Sequence, residues 1–154
     1  MAHGTPDYYS GVDITYQALS EIIVRPKYGA AAAKSVSVLV SPGSKDLFTA
    51  ITGRGMIYGG LVFVEAAESH QGDSANLVID GVPLGQLSLL YLDRYQAFDP
   101  VYWPVVITRY DDVNFIYSVA FAYGYTFDNS FTVRYINNTL VNVTVGCIIH
   151  YALL

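Results

Sequence analysis

Charge is what this sequence has least of. Asp, Glu, Lys and Arg make up 14% of its 154 residues, against about a quarter in an ordinary globular domain. So few charges leave little to dress a free surface, which implies a large core, neighbours that cover part of the outside, or both. The balance is acidic, with a net charge of −5, and the eight Lys and Arg are scattered. Phosphate binding needs a basic face, so a nucleic-acid partner is not expected. Cysteine is nearly absent: Cys147 stands alone and cannot close an internal disulfide. A chain of this length can bury roughly two thirds of its unfolded surface and needs no such staple. No apolar run approaches the roughly 20 residues of a membrane helix, so no membrane partner is expected. The opening Met1–Pro6 has neither the charged nor the apolar stretch of a secretory signal.

The motifs of catalysis are equally sparse. Gly53, Gly55 and Gly59 bear a superficial likeness to a dinucleotide loop, but they open a strand pattern, whereas that loop needs a helix N-terminus to hold its pyrophosphate. There is no phosphate loop of the Gly-x-x-x-x-Gly-Lys type and no Gly-x-Ser-x-Gly elbow. His3, His70 and His150 fall in an arm, a loop and the last strand, with no pair at zinc-ligand spacing. Cys147 shares the apolar side of its strand and reads as a small core residue rather than a nucleophile. Asp111-Asp112 with Asn114, and Asp128-Asn129, offer oxygen ligands of the kind calcium takes, although plain turns explain them as well. Glu65 and Glu68 are weak candidates for a hydrolytic carboxylate pair. The sequons at Asn137 and Asn142 carry no weight, the second lying within a strand. The expectation is a protein with no enzymatic activity, no cofactor and no bound metal.

What the sequence does have is alternation. Val36, Val38 and Val40 alternate with serines up to Pro42-Gly43. Val113, Phe115, Tyr117, Val119, Phe121 and Tyr123 predict one long strand, as do Val141, Val143, Val145, Cys147, Ile149 and Tyr151. Short strands are also expected at 47–51, 87–92, 105–110 and 131–136. Met56–Glu65 is continuously apolar, predicting a strand buried on both faces with a bulge at Gly59-Gly60. Asp80-Gly81 marks a two-residue hairpin turn after 77–79, and Asn137-Asn138 a further turn. Helix is expected only as a short piece within 16–33, where Ala30–Ala33 favour it and Pro26 and Gly29 interrupt it. At least eight short strands without intervening helices predict an all-β fold: an antiparallel sandwich, jelly roll or small barrel. Residues 1–15, polar and turn-rich, are expected to form an extended N-terminal arm, with 16–154 a single domain.

Fourteen tyrosines and a lone tryptophan suit contacts with one apolar and one wet side. Tyr8 and Tyr9 in the arm, and Tyr102 and Trp103 in a proline-bounded loop, are the candidate interface residues. They would serve either a protein partner or a sugar platform.

Short motifs carry a resemblance. Met1–Asp7, Ile51–Gly60 followed by Val78-Ile79-Asp80-Gly81, then Phe127–Phe131 and Asn137-Asn138, resemble structural proteins of tailed bacteriophages, thermophile phages in particular. The resemblance spans roughly residues 1–7 and 50–140 and consists mostly of turn chemistry. It implies a virion structural protein, a head-decoration or tail β-sandwich module assembled in the host cytoplasm. Its implied partners are its own copies, a trimer foremost, and other virion proteins such as the major capsid or tail protein. It transfers no catalytic residues. The competing class is a carbohydrate-binding, lectin-like module on the same kind of fold.

Overall fold

A computed structural model describes residues 30–154, so the arm 1–15, with Tyr8 and Tyr9, and the helical expectation over 16–29 lie outside the described residues. Among the described residues about 56% are in strands and 5% in helix. The elements are β1 (Ala32–Val40), β2 (Gly43–Asp46), β3 (Ile51–Thr52), β4 (Gly55–Glu65), β5 (Ser74–Ile79), β6 (Val82–Leu84), α1 (Leu89–Arg94), β7 (Val105–Asp111), β8 (Ile116–Phe121), β9 (Tyr125–Phe127), β10 (Ser130–Asn137) and β11 (Val143–Leu153). They make two antiparallel sheets. One runs β1-β11-β4-β8-β7, with β9 also on β4; the other runs β2-β10-β5-β6, with β3 also on β10. This is the expected all-β sandwich.

The sheets face each other through one hydrophobic core. From the first sheet come Val62, Val64, Tyr117, Val119, Val145, Cys147 and Ile149; from the second, Leu77, Phe131, Val133 and Tyr135. Alternation along each strand puts these side chains on the same face, where each buried branched aliphatic contributes roughly 1.5–3 kcal/mol by leaving water. Phe131 joins the layers by packing against Phe48, Phe127 and Tyr151 at ring separations of 6.1, 4.8 and 5.3 Å. The bulge in β4 is present. His150 pairs with Gly59 and Tyr151 with Ile57, which leaves Tyr58 without an opposite residue. Gly59 takes φ +136° there, a region L side chains rarely adopt. The Asp80-Gly81 turn also forms, with φ of 49° and 83° as a primed hairpin turn requires.

Five local expectations are corrected. Ala32 and Ala33 belong to strand β1, opposite Tyr151 and His150, because sheet pairing overrides a weak helical preference. The expected strand at 87–92 is not formed; residues 89–92 belong to helix α1. Ser88 accepts the Tyr91 N–H at its N-terminus, and Leu89 and Leu92, three apart, turn into the core. Leu47 and Phe48 are buried but not in a strand; the Leu47 N–H reaches the Val133 carbonyl from an irregular link between β2 and β3. The 113–123 run is cut short. A turn at 112–115, with Phe115 at φ +55°, leaves β8 only Ile116–Phe121, and Val113 and Tyr123 point to solvent. Finally, β4 is buried on one face: Val62 and Val64 point inward while Phe63 is half-exposed.

Candidate functional site

Two features outside the apolar core bear on function: a polar cluster inside the sandwich and an aromatic segment on its surface. The polar cluster begins in the loop between β4 and β5. Asp73, fully buried, lies with its Oδ2 2.7 Å from His70 Nδ1 and accepts the Tyr135 hydroxyl at 2.9 Å. Its Oδ1 accepts the Asn138 N–H at 2.8 Å, and the Asn138 amide donates to the Gly72 carbonyl. The Asp73 carbonyl in turn takes the Leu89 N–H, where α1 starts. Through its carboxylate and its carbonyl, one residue therefore ties together the β4–β5 loop, β10, the turn after β10 and the start of the helix. Burial and the neighbouring Asp73 charge push the Tyr135 hydroxyl well above its ordinary range, so it remains a donor.

Beside it, Tyr117 and Ser69 both donate to Asp112, and the His70 N–H reaches the Tyr117 oxygen at 3.3 Å. Burial, then Asp112, raises Tyr117. Ser69, His70 and Asp73 have the residue types of a hydrolytic triad but not its geometry. A nucleophile must hydrogen-bond the base that activates it, and here the Ser69 hydroxyl is held by Asp112. His70 is 1% exposed and borders a cavity of about 320 Å³ shared with Glu65, Glu68 and Asn142. The cluster holds loops in place. Its only trace in the sequence is the His70-Gln71-Gly72-Asp73 spacing, whose partners Tyr135 and Asn138 are more than 60 residues away.

The other singled-out residues are structural as well. The Asp111 carboxylate accepts both the backbone and side-chain N–H groups of Asn114, an Asx-type turn that holds its pKa below the usual carboxylate range. In the Asp128-Asn129 motif the N–H groups of Asp128, Asn129 and Ser130 all point at the Asp80 carboxylate, at 2.9, 2.7 and 2.9 Å, while the exposed Asp128 carboxylate pairs with Arg54 at 2.8 Å. Those three bonds lower the Asp80 pKa. Cys147 is fully buried and its thiol is pushed up to about 12 by burial. Among the described residues no group of three or more His, Cys, Asp or Glu is placed to hold a metal ion. No described helix is long and apolar enough to cross a membrane.

The surface feature is α1 and the loop that follows. The helix buries Leu89 and Leu92, so its other side carries Tyr91 and Tyr95, stacked at 5.9 Å and both exposed. Phe98, Val101 and Tyr102 continue the exposed run, Tyr102 at 79% exposure. Trp103, by contrast, is partly buried and packs against the core. Five exposed large apolar side chains thus lie within twelve residues.

No family model matches the sequence, and no curated protein matches it. A solved chain from the cyanophage Pam1 capsid asymmetric unit is similar in structure, with a TM-score of 0.47 and 10% identity, over 84% of this chain and 89% of that one. At that identity the likeness concerns the course of the chain and not its side chains.

Proposed function

We propose that the chain is a structural subunit of a bacteriophage virion, a head-decoration or tail component that works as a symmetric homo-oligomer. The observation that carries this reading is the exposed aromatic segment Tyr91–Tyr102. Tyr and Phe bury large areas at low entropic cost and are enriched where copies meet. The low share of charged residues points the same way. So does the use of the conspicuous polar side chains, Asp73, Asp80, Asp111 and Asp112, to fix loops and turns. The short-motif resemblance to tailed-phage structural proteins supplies the virion setting and the three-fold symmetry. Tyr8 and Tyr9 of the N-terminal arm, which lie outside the described residues, are assigned to the neighbouring subunit.

The lectin-like alternative has less behind it. A polar groove of about 410 Å³ on the second sheet is lined by Ser44, Ser74, Asn76, Gln86, Arg134 and Asn138. Tyr102 and Trp103 do not line it, so it lacks the aromatic platform on which sugars stack.

Light scattering at micromolar concentration tests the proposal. The expected mass is a multiple of 16.9 kDa, and Tyr95→Glu with Phe98→Glu should lower it while leaving the β-sheet circular dichroism intact. A monomer at every concentration, or a glycan-array signal that survives those substitutions, would overturn the assembly reading.

A further inference from the structure

Among the described residues the two sheet orders end on four outer strands, and three of these are protected. β6 has only three residues and carries Pro83, which lacks a donor. β2 has four residues, among them Lys45 and Asp46. The outer side of β7 is already used by the segment after α1, since the Ile107 N–H donates to the Ala97 carbonyl. β1 is different. It is nine residues long, has Lys34 as its sole charge, and among the described residues pairs only with β11. A long edge strand without proline, bulge or repeated charge is a template for pairing with another strand. Lys45 shows that this edge has acceptors to offer: its Nζ reaches from β2 to the Leu39 carbonyl at 2.8 Å. In an antiparallel ladder alternate residues turn both backbone groups to the same side. The Leu39 contact thus marks Ala33, Ser35, Ser37 and Leu39 as the residues whose N–H and C=O face away from β11.

We propose that β1 pairs antiparallel with β1 of a second copy about a two-fold axis at Val36, joining two first sheets into one. The strand itself selects this occupant and register. Val36 is the midpoint of Ala32–Val40, so a two-fold there uses every residue of the strand. Pairing residues whose numbers sum to 72 keeps both faces matched, because even-numbered residues meet even-numbered ones. Val36, Val38 and Val40, which point inward, meet Val36, Lys34 and Ala32 of the second copy. Ser35 meets Ser37, and the exposed Leu39 meets Ala33. No like charges come opposite one another, and Pro42 ends the ladder just beyond Val40. The proposal rests on edge geometry and adds a specific joint to the assembly reading without depending on the virion setting.

The full-length chain tests it in two ways. Lys34→Cys and Val38→Cys chains, each oxidised alone and then mixed, should form a disulfide dimer efficiently only in the mixture, because those residues are opposite each other in a non-hydrogen-bonded pair. Ser35→Lys with Ser37→Lys places like charges opposite one another twice and should weaken association about fivefold to tenfold. Ser35→Lys with Ser37→Asp should restore it, and Thr108→Lys on β7 should leave it unchanged. Equal cross-linking in all three samples would overturn the pairing, and so would a charge response that ignores the sign at 37. An oligomer that keeps its mass in the double-lysine variant but loses it with Tyr95→Glu and Phe98→Glu would sink the β1 joint and leave the assembly reading standing. Cross-linking confined to the mixture, in a protein indifferent to Tyr95 and Phe98, would keep the β1 joint and overturn the aromatic segment as the assembly surface.

Discussion

The two sheets share one core but are specified in different ways. The inward residues of the six-stranded sheet are almost purely apolar, whereas the buried polar residues Ser74, Asn76, Thr132 and Asn137 lie on β5 and β10 of the other sheet, with Asp73 and His70 in the loop leading to it. In the first sheet, register follows from alternation, since a one-residue slip would turn every valine to solvent. In the second, it is reinforced by side chains that reach the backbone of distant segments. Thr132 donates to the Phe48 carbonyl, and Asn137 donates to Val40 and Val141 while accepting the Thr139 N–H. An apolar face tolerates approximate partners. A buried polar group does not, because leaving it unpaired costs the desolvation that folding has already imposed.

This contrast is breakable. The largest effect is expected at Asp73. Asp73→Ala strands His70, Tyr135 and the Asn138 N–H without their shared acceptor and should destabilise by about 3–5 kcal/mol. Ile149→Val in the apolar sheet should cost only about 0.5–1.5 kcal/mol. Urea midpoints for the two variants settle the order, and a smaller loss at Asp73 would mean that the polar cluster does not specify its sheet.

A pair of glycines sharpens the apolar side. A Cβ on Gly55 would lie 2.1 Å from the Ala152 carbonyl oxygen and 2.7 Å from the Phe127 ring, both held in place. On Gly146 it would meet only the outer part of the Phe63 ring, at 2.2 Å, and that ring is half-exposed and can swing away. Gly55→Ala should therefore cost about 1–3 kcal/mol as overpacking, and Gly146→Ala clearly less, in the same denaturation series. Equal losses would show that Phe63 is as fixed as backbone.

The smallest expected effect is at the Asp80 turn of the second sheet. Backbone N–H groups of Asp128, Ser130 and Asn129 hold its folded pKa below the unfolded value near 3.9. The stabilisation is therefore complete above that value and is lost as pH falls through the lower folded pKa. Asp80→Asn keeps the positive φ but not the charge. Its stability deficit at pH 7 should shrink as pH falls below the unfolded value and through the lower folded one, as measured by urea midpoints across pH. A deficit that does not change with pH would rule out the carboxylate as its source.

The sequence by itself determined the all-β class, the inward stripes of β8 and β11, the bulge at Gly59 and the Asp80-Gly81 turn. Each of these is a local matter: a period of two, a backbone region open to glycine, a turn chemistry. Tertiary structure decided the rest. Ala32 and Ala33 became strand because β11 offered a ladder, and Leu89–Arg94 became helix because the core had room for Leu89 and Leu92 on one side of a single turn. The apolar run 87–92 was short enough to serve either state, so its surroundings made the choice. The His70–Asp73–Tyr135–Asn138 cluster was illegible in advance because its members are brought together only when β10 docks beside β5. The aromatic run was only half-visible. Tyr102 and Trp103 are neighbours in sequence, yet Tyr102 faces solvent and Trp103 packs against the core. Composition counts aromatic residues, but only packing decides which of them remain outside.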